Sequence, residues 1–218
     1  MVLAESSRRH YSGHMGTILT TKISKARAQA TATPQNVMER RIADGIKKRR
    51  EALDWSANDL AERSGVSRAM VSKIERLEVS PTAVLLGRLC NALGITLSSL
   101  IASAESSAGP PISRADEQPV WRDPDTGLLR TMVSPRNTNS RVEIVHVELP
   151  SGAEVKYDAQ RHPYDQHLLV LQGKLTWSSE SDEFELSVGD CIQSRIDVAH
   201  AFANRGRNAC KYLVIIAR

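Results

Sequence analysis

The residues best placed to do chemistry in this sequence lie between Ser56 and Glu75, in SANDLAERSGVSRAMVSKIE. Gly65 divides the run into two short amphipathic pieces. In the second piece Val71 and Ile74 fall on one helical face. Arg68, Ala69, Ser72 and Lys73 then fall on the other. Arginine and lysine can donate to O6 and N7 of guanine, and serine can reach a base edge or a phosphate. The face therefore suits the major groove of duplex DNA. Ser67 opens this helix as its N-cap. Ser56 and Asn58 stand at the start of the preceding helix, where helix-terminal amides favour phosphate. Glu75 reads as a structural tie to neighbouring helices rather than as a DNA contact.

Positioning that face takes a set of short helices over residues 36–103. Ile42, Ile46 and Leu53 are spaced to line one side of the first. Ser56-Ala57-Asn58-Asp59 is a capping box: Ser56 accepts from the Asp59 amide and the Asp59 carboxylate reaches back. Gly65 suits a sharp stop. Ser80-Pro81 predicts another helix start, a cap followed by proline at the first helical position. Leu85, Leu86, Leu89 and Leu93 form its apolar stripe, and Gly94 ends it. A last short helix begins at Thr96 and carries Leu97, Leu100 and Ile101. The expectation is five helices.

The segment has helix-turn-helix spacing and resembles the phage-repressor-like (Xre/Cro) family over about 60 residues. The resemblance rests on Leu60-Ala61, Gly65-Val66-Ser67, Ser72, Ile74-Glu75, Ser80-Pro81-Thr82, Leu85 and Ala92-Leu93-Gly94-Ile95. It implies a lambda-repressor-like DNA-binding domain that reads bases from Arg68, Ala69, Ser72 and Lys73. Arg49 departs from the family, which usually has an aliphatic residue there; this puts the packing of the first helix in question.

Residues 104–119, AESSAGPPISRADEQP, are a linker by composition, stiffened at Pro110-Pro111. Beyond it the period changes. Val142 to Leu149 and His167 to Leu171 read as strands. Leu175, Trp177, Phe184 and Leu186 alternate with polar residues between turns at Gly173 and Gly189-Asp190, and Tyr212 to Ile216 reads as a terminal strand. Many short strands at regular spacing predict an all-β sandwich or barrel.

The stretch from Gly152 to Asn204 resembles a cupin, a small jelly-roll barrel. Its second motif matches at Gly189-Asp190 and at Asp197 to Asn204. The first, anchored on Gly173, falls on Gln160, His162 and Gln166. The resemblance implies that Gln160, His162, Gln166 and His200 share one pocket. Metal cupins use three histidines and a glutamate there, and amide oxygens are weak ligands for a divalent transition metal. The expectation is a polar effector pocket without a cofactor, a divalent metal being the weaker alternative. His167 has the opposite strand parity and should point outward; His146 either faces the cavity or sits at a strand end. The predicted fold class is therefore multidomain, α then β: a five-helix lambda-repressor-like domain, then a cupin (jelly-roll) β-barrel over residues 120–218.

Composition agrees. The 218 residues are 41% hydrophobic, enough for a packed core. No apolar run approaches the roughly 20 residues of a membrane helix, and no secretory h-region precedes residue 36. Residues 1–35 hold five basic residues against Glu5, and residues 36–103 hold eleven against eight acidic ones. Residues 104–218 are acidic on balance, with thirteen basic and sixteen acidic residues. A basic front half attracts polyanions such as nucleic acid. Residues 1–35 read as a disordered basic arm, with a later start at Met15 or Met38, or a transit peptide, as the other readings. Cys90, Cys191 and Cys210 match no zinc spacing and read as buried, inert thiols in a reducing cytoplasm.

Together these features point to a cytoplasmic transcription regulator. Its expected partners are a double-stranded DNA operator and a small-molecule effector, and it should act as a homodimer with no membrane association. One rival is a metal-dependent cupin enzyme with an appended DNA-binding domain. The other is a constitutive repressor whose barrel is only a dimer scaffold.

Overall fold

The structure is a computed structural model and describes residues 34–102, 110–135, 140–161 and 164–217. The basic arm falls almost wholly outside these residues, as do most of the first half of the linker and His162.

The helical module opens with α1 (Pro34–Glu51), whose Met38, Ile42 and Ile46 recur every fourth residue and are fully buried. Helix α2 (Ala57–Ser64) starts at the expected capping box. The Ser56 hydroxyl accepts from the Asp59 amide at 3.2 Å, and the Asp59 carboxylate accepts from the Ser56 amide at 2.7 Å. Gly65 ends the helix at φ 67°, in the left-handed region that glycine enters at no steric cost, and donates to the Ala61 carbonyl. Helix α3 (Arg68–Glu75) follows at once, capped by Ser67, which accepts from the Met70 amide.

Helix α4 (Ala83–Leu93) starts two residues later than the sequence predicts. Thr82 is its N-cap and accepts from the Leu85 amide, while the Ser80 hydroxyl is spent on Glu39 at 2.6 Å. Leu86, Leu89 and Leu93 are buried, and Gly94 closes the helix in the left-handed region. The expected fifth helix is reduced to a six-residue segment, Leu97–Ala102, held to the core by Leu100. The module thus has four helices of two turns or more. A six-residue segment has too few intrahelical hydrogen bonds to stand without such packing.

The β-module is two antiparallel sheets rather than the closed barrel expected. The larger runs β1 (Val120–Arg122), β2 (Leu129–Met132), β3 (Val142–Leu149), β10 (Cys210–Ala217), β5 (Asp165–Gln172) and β8 (Cys191–Gln193), in that spatial order. The smaller runs β4 (Glu154–Tyr157), β9 (His200–Ala203), β6 (Leu175–Ser179) and β7 (Glu183–Leu186). No strand pairing among the described residues joins the two. Closing a barrel needs the edge strands of the two sheets to pair in a staggered hydrogen-bond register. The edges here, β1, β8, β4 and β7, are three or four residues long. Instead the inner faces meet as in a double-sheet jelly roll, with Val147, Leu168, Val170, Trp177 and Tyr212 buried. Strict alternation along β10 shows the pleat at work: Cys210, Tyr212, Val214 and Ile216 point inward.

Cys90 and Cys210 are buried, as expected, but Cys191 is exposed. It lies on the short edge strand β8, opposite Leu169 of β5, so β5 separates it from Cys210 on β10.

Candidate DNA-reading face and effector cavity

Helix α3 buries Val71 and Ile74 and leaves Arg68, Ala69 and Lys73 exposed, as the spacing predicts. Ser72 is half-buried, and Ser67 is exposed but engaged as the cap. On α2, Ser56 and Asn58 are exposed, and both are already bonded. Ser56 serves the capping box, and the Asn58 amide donates to Glu62 at 2.8 Å.

Two other side chains fix the angle of α3. Glu75 accepts from Arg50 through both oxygens, at 2.7 and 3.0 Å, and Arg50 also donates to the Trp55 carbonyl at 2.7 Å. Both charged side chains are about nine-tenths buried. The hydrogen bond to Glu75 holds the guanidinium pKa above its ordinary value, against the opposing effect of burial. Glu75 is therefore the tie between α1 and α3. Arg49, the departure from the family pattern, donates to the Leu93 carbonyl at 3.2 Å and so caps the end of α4.

The two modules pack directly on each other. The Ala83 amide at the start of α4 donates to the buried Asp123 carboxylate at 3.0 Å. Arg88 pairs with Asp158 at 2.8 Å, and Asn91 bonds the backbone at Ala159 and Arg161. Gly87 lets the Tyr157 ring lie against α4: a Cβ at residue 87 would sit 3.0 Å from the ring.

A small cavity, about 70 Å³, lies at this junction and opens toward a larger one of about 720 Å³. The wall of the small cavity combines Ala83, Gly87 and Cys90 of α4 with side chains of both sheets. Gln160, Gln166 and His200 meet there, as the motif positions imply. The His200 Nδ1 lies 2.9 Å from the Val198 carbonyl, which can only accept, so in the neutral ring the proton sits on Nδ1. Burial lowers the His200 pKa, with the Val198 bond opposing. The ring stacks on Tyr157 and meets Phe202 edge-on. Burial pushes the Tyr157 phenol up to about 12, so it is neutral at physiological pH. Gln166 donates to Ser194, which also accepts from Trp177. His146 is on the opposite face of β3 from Val145 and Val147, away from the cavity.

Of the four motif positions three are described, and His162 lies outside the described residues. The three offer two neutral amides and one imidazole, and no group of three or more His, Cys, Asp or Glu that could hold a metal exists among the described residues.

Sequence reasoning missed Arg130. It pairs with Val147 across β2 and β3, shares that inward face and lines the small cavity. The only signal for it was an arginine in the short strand Leu-Arg-Thr-Met, which lies outside the cupin motifs.

A helix pair that tucks in Val71 and Ile74 and turns its cations outward, joined to a two-sheet cupin fold, defines a DNA-binding protein with an appended β-module. Residues 46–100 match the helix-turn-helix family and residues 145–216 the cupin domain. The chain therefore joins an Xre-type helix-turn-helix domain to a cupin domain, the make-up of a regulator of transcription. It is 26% identical over 179 residues to the HTH-type transcriptional regulator SutR of Escherichia coli, covering 82% of this chain and 96% of SutR. It is 20% identical to the regulator PuuR of the same organism over 85% of this chain and 94% of PuuR. A crystal structure of an HTH_3 family transcriptional regulator from Vibrio cholerae superimposes with a TM-score of 0.68 at 22% identity. That likeness spans 84% of this chain and 97% of the other, and it supports the fold.

No helix among the described residues is long and apolar enough to cross a membrane.

Proposed function

We propose that this regulator reads its operator with Arg68, Ala69, Ser72 and Lys73 of α3. Ser56, Asn58 and Ser67 set it against the phosphates, and the cupin module senses a small molecule without catalysing a reaction or needing a metal. The observation that carries this reading is the position of the cavity. Its wall is built from α4 of the DNA-binding module and from both sheets of the cupin module. A ligand there touches both modules at once and shifts DNA binding by its differential affinity for two arrangements of them. Couplings of this kind are typically about 1–3 kcal/mol.

One α3 helix reads too few base pairs for useful specificity, so the active form is a homodimer in the cytoplasm. Its half-sites are then about one helical turn, roughly 10 bp, apart. Selecting binding sites for the full chain from random duplexes tests this reading. The expected result is a two-fold symmetric consensus with that spacing. Failure to enrich any sequence, or enrichment of a lone half-site by a monomer, overturns it.

A further inference from the structure

We infer that the cavity between the modules is a carboxylate site, with Arg130 as the anchor for a small monocarboxylic acid. The inference rests on the effector-sensing reading above and names the class of ligand. Among the described residues Arg130 is the one arginine or lysine lining the small cavity, and no Asp or Glu lines it. Its Nε is buried with no hydrogen-bond partner among the described residues. Asp123, a buried carboxylate just after β1, is committed elsewhere. It accepts from the Ala83 amide, from the Thr126 amide at 3.1 Å and from the Thr126 hydroxyl at 2.5 Å.

Arg130 is half-buried overall but its Nε is shut away from water without a partner, and such a charged donor is best satisfied by an anion. The charge count selects the anion. The remaining polar groups of the wall are phenols, amides, a threonine hydroxyl, the Cys90 thiol and the His200 imidazole, groups that donate or accept without adding charge. One positive charge balances a monoanion and leaves a phosphate dianion in excess. The guanidinium fork matches a carboxylate bidentately. About 70 Å³ holds a carboxylate and an adjoining carbon or two, and the body of the acid extends into the larger cavity. The two share Gln160, Tyr164 and Gln166 as common wall.

The test is thermal melting of the full chain with acetate, propionate and butyrate, each against its neutral amide. At least one acid should raise the melting temperature while its amide does not. Arg130→Met should abolish that shift. It should melt no lower than wild type without acid, since it replaces a donor buried without a partner by a hydrophobe of similar length. Arg130→Gln decides the matter if the methionine variant does not fold. Equal shifts from acid and amide, no shift from any acid, or an undiminished shift in the variant overturns the carboxylate assignment. If a neutral compound alters both melting and operator affinity while the acids do nothing, effector sensing stands and this inference alone falls.

Discussion

The Asp123 carboxylate, 2% exposed, accepts a 3.0 Å hydrogen bond from the Ala83 amide, so an acid of the β-module seats the first turn of a helix in the DNA-binding module. The first amides of a helix lack intrahelical partners, and the partial positive charge there favours a carboxylate. Asp123 supplies from another part of the chain what a local cap supplies elsewhere. Asp123→Ala leaves the Ala83 amide buried and unpaired. We expect it to cost about 1–3 kcal/mol in urea denaturation. It should also loosen the seam between modules, read as faster amide exchange at residues 83–86. A stability loss with unchanged exchange there would count against a seam role.

Glu75 and Arg50 make a different kind of tie, inside the helical module. Removing one partner from a buried ion pair leaves the other charge stranded, at a cost of about 3 kcal/mol or more. Glu75→Ala should therefore lower stability by about that much while leaving the selected DNA consensus unchanged. A changed base preference with near-wild-type stability would make Glu75 a DNA contact instead.

Arg68 is exposed at the first position of α3 and free to swing into a groove. Arg68→Ala should cost about 1–3 kcal/mol of operator affinity and relax specificity at one base position. Lys73→Ala, if Lys73 meets phosphate, should weaken all sequences alike and flatten the salt slope by about one. Titrations of a selected operator and its single-base variants at several salt concentrations separate the two roles.

The helical module was largely legible in the sequence because its signals are local. Ser56 and Asp59, Gly65, and the spacing of Val71 and Ile74 each act within four residues. The start of α4 was misplaced for the opposite reason: Ser80 is diverted by Glu39, forty-one residues away. The open sheet edges and exposed Cys191 depend on which strands pair, which alternation along a strand does not reveal. Motif spacing found Gln160, Gln166 and His200, because the cupin turns hold them in register. Arg130 escaped, since what makes it notable is the lack of acids around it in space.

His200 gives the pH dependence a sign. Its pKa in the folded chain is lowered from 6.5, chiefly by burial. The unfolded chain then binds the proton more readily than the folded one as the pH drops through 6.5. Stability from this group is present in full above that pH and is lost as the pH falls toward the folded-state value. His200→Gln removes the titrating ring and keeps a polar group in the wall. The melting temperatures of the two proteins should keep a constant offset from pH 7.5 to 9, and wild type should lose ground to the variant from pH 6.5 downward. The same protonation would place a second cation in the cavity with Arg130. A monocarboxylate in the cavity should slow it, because an anion stabilises both cations. Melting curves for both proteins across that range, with and without butyrate, measure this directly. An offset that does not change with pH would mean that His200 stays accessible to solvent and that the cavity is open.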